Sequence, residues 1–219
     1  MGGNVERRLP LCRRMRRERH RQIARLQDII VETLYRIFPR AVLHGGTAIW
    51  RCYSGNRFSE DVDAYIEKNI EKVERLLEEL ERGGFRVIKR RMTQNSIYCV
   101  LSLERTSVRF EAVFKKVNGI IREYETYEGS LFNVFTLTPE EIVREKIGAY
   151  LQRRKIRDLY DIFFMLRHVA EKERLKPELG RLLREFPDPV DEGELRALIM
   201  FGAVPSKDDI LEYLRTVVR

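Results

Sequence analysis

Between Arg19 and Phe38 the apolar residues Ile23, Leu26, Ile30, Leu34 and Ile37 recur at steps of three and four. That spacing predicts one buried face of a helix, closed by Pro39. Residues 41–44 then read as a short buried strand, broken by Gly45-Gly46, and residues 47–53 as a short apolar helix. Ser54-Gly55-Asn56 predicts a turn and residues 61–66 a second strand. Asn69 can cap a helix running to Arg82, with Ile70, Val73, Leu76, Leu77 and Leu80 inside and Gly83-Gly84 as its stop. Three alternating segments, 85–91, 96–103 and 108–113, predict antiparallel strands, followed by a polar loop through Gly129. Thr138, Pro139 and Glu141 form the signature of a capped helix start. From there the pattern predicts helices over 139–153, 156–171, 175–185, 191–199 and 207–218, the last capped by Ser206. The expected architecture is α+β: a mixed sheet flanked by helices over residues 1–130, then a helical domain over 131–219.

Composition narrows the class. With 43% apolar and 35% charged residues the chain can bury a core. No run approaches the roughly 18 apolar residues of a membrane span, and the N-terminus has no apolar signal core. Cys12, Cys52 and Cys99 fit neither a disulfide framework nor a zinc site. His20, His44 and His168 show no metal-ligand spacing. A reduced, cytoplasmic protein without membrane attachment is expected. The formal charge of +8 is local: nine arginines and a single glutamate lie between Arg7 and Arg25, and the remainder balances at 33 basic and 33 acidic residues. Such a segment suits a polyanion, but equally a solvated arm or a surface for an acidic partner.

Two features carry candidate chemistry. Gly45-Gly46-Thr47 stands between a strand and a helix, where bare backbone lets phosphate approach amides at a helix N-terminus. Simple turn geometry would give the same pair. Asp61 and Asp63 are two apart on a strand, so both carboxylates project from one face while Val62 points to the core. Like charges that close repel unless a cation neutralises them, and hard oxygen ligands suit Mg²⁺ completed by substrate phosphates. An acidic strand at a sheet edge is the plain alternative.

The ordered series Leu43-His44-Gly45-Gly46-Thr47-Ala48, Tyr53-Ser54-Gly55 and Arg57-Phe58-Ser59-Glu60-Asp61-Val62-Asp63 resembles the first motif of the AbiEii toxin family. That family has the nucleotidyltransferase fold of the DNA polymerase β type. Ser54 interrupts the family's Tyr-Gly turn, and Thr47 stands where the wider superfamily has serine. Glu145-Lys146-Ile147-Gly148-Ala149 and Arg153 through Arg157-Asp158-Leu159-Tyr160-Asp161 are similar to the family's later motifs. The resemblance spans roughly residues 40 to 170.

It implies a nucleotidyltransferase-type sheet core and transfer of NMP from an NTP to an acceptor, with Mg²⁺ on Asp61 and Asp63. Glu111 is the candidate third carboxylate, as metal ligand or proton acceptor; pairing with Arg109 is its bland alternative. Gly45, Gly46 and Thr47 would cradle phosphate, with Ser59 beside them. Lys146 and Arg57 would offset triphosphate charge. Asp158 or Asp161 would orient Lys146 or contact the nucleotide, unless they pair with Arg154 or Arg157. Family members that elongate the 3′ end of tRNA make tRNA the expected acceptor and an antitoxin protein an expected partner. A protein-modifying transferase, or a non-catalytic nucleotide-, RNA- or partner-binding module, would keep the same fold.

Overall fold

A computed structural model of the chain describes residues 9–219; Arg7 and Arg8, at the start of the cationic segment, lie outside it. Helix α1 (Leu11–Arg14) leads into α2 (Glu18–Ile37), β1 (Val42–His44), α3 (Gly45–Cys52), β2 (Asp61–Ile66) and α4 (Ile70–Arg82). Strands β3 (Arg86–Met92), β4 (Ser96–Leu103), β5 (Thr106–Phe114), β6 (Ile120–Glu125) and β7 (Leu131–Thr136) follow. The chain then turns helical: α5 (Pro139–Arg153), α6 (Ile156–Met165), α7 (Lys176–Arg184), α8 (Leu195–Leu198) and α9 (Lys207–Val218).

The seven strands form one mixed sheet in the order β3-β4-β5-β2-β1-β7-β6. β2 runs parallel to β5 and antiparallel to β1, which runs parallel to β7. The alternation of β2 puts Val62, Ala64 and Ile66 into the core beneath α2 and α4 and leaves Asp61, Asp63 and Tyr65 on the opposite face. A second core, around Ile142, Ile147, Leu159, Ile162, Leu179 and Leu214, joins α5 to the later helices. Val42, Ile49 and Tyr53 belong to that second core, so β1 and α3 pack between the two apolar bodies.

Several expectations are corrected. Residues 120–125 and 131–136 are a strand pair, so the sheet extends to Thr136, past the division expected at residue 130. Charged residues on the outer strand β6 (Arg122, Glu123, Glu125) broke the alternation that signals a strand. The helix expected over 156–171 is α-helical only to Met165, then tightens into a 3₁₀ turn. The helix expected over 191–199 is a 3₁₀ turn and the four-residue α8. Ile70, expected inside α4, is exposed. The capped starts hold: Thr138–Glu141 and Ser206–Asp209 both close reciprocal capping boxes. The cationic segment is docked in part: Leu11 and Met15 are buried, and Arg14 pairs with Glu125. No helix among the described residues is long and apolar enough to cross a membrane.

Candidate active site

The open face of β2 looks into a cleft of about 580 Å³ between the sheet and α5. Asp61, Asp63 and Tyr65 line one wall; Glu145, Lys146 and the small pair Gly148 and Ala149 line the other. Register assembles the acidic side. Asp63 faces Glu111 across the parallel β2–β5 pair, and His44 across the antiparallel β1–β2 pair.

The roof is the start of α3. Gly45 has φ +68°, and a Cβ there would fall on Asp63 Oδ2, so both backbone conformation and space demand glycine. A Cβ on Gly46 would stand 2.6 Å from Arg57 Nη2 and 2.6 Å from Ser59 Oγ. These bare residues bring the unpaired amides of the first helical turn to the edge of the cleft. Thr47 does not reach it. Its side chain is buried and its hydroxyl donates to the Asp61 carbonyl, which corrects the expectation of a phosphate contact. Gln27 of α2, which carried no signal in the sequence beyond its helix, donates from Nε2 to the Ser59 carbonyl at 2.9 Å. It thereby ties the loop before β2 to the core.

Behind the cleft lies a block of buried ion pairs. Arg57 grips Asp161 with two parallel bonds of 2.7 and 2.8 Å and donates a third, of 2.9 Å, to the Phe58 carbonyl. Lys146 Nζ is 2.6 Å from Asp161 and 3.2 Å from Asp158, and Arg153 forks onto Asp158 at 2.6 and 2.7 Å. Asp158 and Asp161 are fully buried and do not line the cleft. Their arginine partners are Arg153 and Arg57, not Arg154 or Arg157, and both also pair with Lys146. Arg57 is paired within this block and also lines the cleft, beside Gly46. Burial opposes the Asp161 charge, but Arg57 and Lys146 outweigh it and hold the carboxyl below the ordinary aspartate range.

Charge is unbalanced in front. Burial, with Asp61 and Glu111 close by, pushes the Asp63 carboxyl above its ordinary range despite the pull of His44 and Lys146. Asp61 accepts from Arg109 Nε at 2.5 Å. Glu111 is thus not the partner of Arg109 and stands exposed beside Asp63. Among the described residues no three of His, Cys, Asp or Glu stand close enough to cage a metal alone. Asp61 and Asp63 nevertheless fit Mg²⁺, which is commonly held by one or two carboxylates with phosphate and water completing its shell. A divalent cation there would relieve the repulsion that raises Asp63.

Sequence reasoning assigned no role to His44, Tyr65 or Glu145. The His44 ring stacks on Tyr65 with centroids 4.1 Å apart. Glu145 accepts from the Tyr65 hydroxyl at 2.5 Å and lies 3.4 Å from His44 Nδ1. Burial favours the protonated Glu145, yet His44, Tyr65 and Lys146 together draw its carboxyl below the usual range. His44 and Glu145 flank the Gly-Gly and Lys motifs, which was the one signal available.

A carboxylate pair on a strand, beside bare backbone at a helix start, is an arrangement suited to nucleotidyl transfer. The family described as nucleotidyl transferase AbiEii toxin, Type IV TA system, matches residues 32–210, and the chain belongs to that family. Among solved structures, the nucleotidyltransferase toxin MenT4 from Mycobacterium tuberculosis H37Rv is 18% identical, with a TM-score of 0.64 over 91% of this chain and 82% of that one. JHP933 from Helicobacter pylori is 19% identical, with a TM-score of 0.63 over 92% of this chain and 93% of that one. These likenesses show a shared fold. The search of curated proteins returned no match.

Proposed function

We propose that this nucleotidyltransferase moves NMP from an NTP onto the 3′ hydroxyl of an RNA, with tRNA as the acceptor and Mg²⁺ on Asp61 and Asp63. The observation that carries the reading is the like-charged pair Asp61 and Asp63, with Asp63 left underneutralised against the Gly45-Gly46 amides. Bound Mg²⁺ supplies neutralisation of phosphate charge and polarisation of the reacting phosphorus.

The chain's own groups do the rest by position and electrostatics. The first-turn amides of α3 hold phosphate oxygens. Lys146, fixed by Asp158 and Asp161, faces charge that develops on the triphosphate. Glu111 accepts the proton as the 3′ oxygen bonds to the α-phosphorus and pyrophosphate departs. An antitoxin partner accords with the toxin–antitoxin family.

The experiment is incubation with Mg²⁺, each labelled NTP and total tRNA. Label on tRNA with wild type and at least about 10²-fold less with Asp63→Asn supports the reading. Label on the protein itself or on another polypeptide would move the acceptor to a side chain.

A further inference from the structure

A second cavity, of about 530 Å³, adjoins the catalytic cleft, and Tyr65 lines both. It lies where β2 and β5 end, against the tip of α2 and the approach to β6. The catalytic face runs directly into it. Alternation on β5 exposes Arg109 and Glu111, and just past the strand's end Lys115 reaches the Tyr65 ring on that side. Backbone bonds from the Lys115 amide to the carbonyls of Ile66 (3.0 Å) and Val113 (2.9 Å) fix that position.

The cavity joins cations to aromatic rings. Lys115 Nζ is 5.4 Å from the Tyr65 ring centre, and the Arg40 guanidinium is 4.6 Å from that of Phe135. Lys116 adds an exposed charge. Glu67, the acidic residue of the lining, is already paired with Lys72. The rim therefore keeps a cationic surplus from Arg40, Lys115 and Lys116. A cationic rim holds single-stranded nucleic acid through its phosphates, and here the cations already lie over the Tyr65 and Phe135 rings, so the charge carries the contact.

We propose that this cavity binds the single-stranded 3′ end of the acceptor RNA, just upstream of the nucleotide whose hydroxyl reacts. Tyr65, stacked on His44 and hydrogen-bonded to Glu145, is the divider between the two sites. Asp63 and Ile66 are three residues apart on β2, about 10 Å along the strand, so an extended chain can occupy both at once. Triphosphate is an unsuitable occupant, because its phosphates belong at the Asp61–Asp63 pair on the other side of Tyr65. This inference rests on the RNA-acceptor reading and adds where the RNA lies.

The test uses the full chain and the double variant Lys115→Glu/Lys116→Glu, exposed positions outside the catalytic groups. A control, Arg184→Glu/Arg215→Glu, makes the same charge change on α7 and α9, away from both cavities. Binding of a fluorescent single-stranded RNA with a free 3′ hydroxyl is measured by anisotropy across salt concentrations, alongside KM for tRNA and for NTP. The K115E/K116E variant should bind RNA and use tRNA at least about tenfold more weakly, with a salt slope shallower by about 1 to 2. Its KM for NTP should stay at the wild-type value, and the control should match wild type throughout. A wild type that binds and elongates RNA, with K115E/K116E indistinguishable from wild type or from the control, overturns the site alone. A wild type that neither binds nor elongates any RNA overturns the acceptor reading and the site together.

Discussion

Two groups of charges, in front of the Gly-Gly loop and behind it, are built from the same residue types to opposite ends. Behind, Arg57, Asp161, Lys146, Asp158 and Arg153 neutralise one another, and both aspartates are buried without solvent contact. In front, Asp61, Asp63 and Glu111 crowd together, with Arg109 bound to Asp61 alone. A satisfied network fixes geometry; an unsatisfied one attracts a cation and its ligands. The pair of regions teaches that, here, motif membership does not distinguish a reacting group from the frame that holds it.

The largest expected effect comes from breaking the rear block. Asp161→Ala leaves Arg57 and Lys146 buried without their shared partner, which should cost about 3–5 kcal/mol and abolish transfer. Thermal and denaturant unfolding measure it, and a loss under about 1 kcal/mol would make the block a surface-like ion pair. Gly45→Ala should come next, combining a left-handed backbone with a collision on Asp63. It should lose about 1–2 kcal/mol and most of the activity.

Asp63→Asn should separate the regions: transfer falls at least about 10²-fold, while the melting temperature at neutral pH rises. The two aspartates also differ in sign against pH. Asp161, held low, contributes stability that is complete above the ordinary value of 3.8 and lost as pH falls through its folded pKa. Asp63, held high, favours the folded state only while protonated, so its contribution is lost as pH rises from 3.8 through its raised pKa. D63N should flatten that second segment of a stability–pH curve and leave the acid limb alone.

The smallest effect concerns Arg109, whose pair with Asp61 is half-exposed. Arg109→Ala should change stability by less than about 1 kcal/mol and tighten divalent-cation binding by freeing Asp61. Calorimetric titration with Mn²⁺ checks it, and weaker binding would show that Arg109 orients the carboxylate.

Much of this was legible in the sequence. Period and caps predicted α2, β1, β2, β4, β5, α4, α5 and α9, because each sets an apolar face against a core; the exposed edge strand β3 was read from its alternation between turn signals. Alternation placed Asp61 and Asp63 on one face and Glu111 on the Arg109 face of its own strand; the parallel β2–β5 register joins the two. β6 escaped because an outer strand with solvated charges has no apolar period to display. The division of labour in the site also escaped. Whether Asp158 and Asp161 meet a ligand or Arg57 depends on the packing of α6 against α3 and α5, over a hundred residues from Arg57, and no local spacing records it. Nor could spacing show that Thr47 turns its hydroxyl to the Asp61 carbonyl.

On this reading the front carboxylates act, while the rear block holds the loop and presents Lys146 to the cleft. The most direct measurement is Mg²⁺-dependent transfer of label from NTP to tRNA by wild type and D63N, each with its melting temperature. The expected result is labelled tRNA from wild type, transfer at least about 10²-fold lower from D63N, and a D63N melting temperature above that of wild type. Transfer by D63N within about tenfold of wild type, or activity lost together with stability, would contradict it.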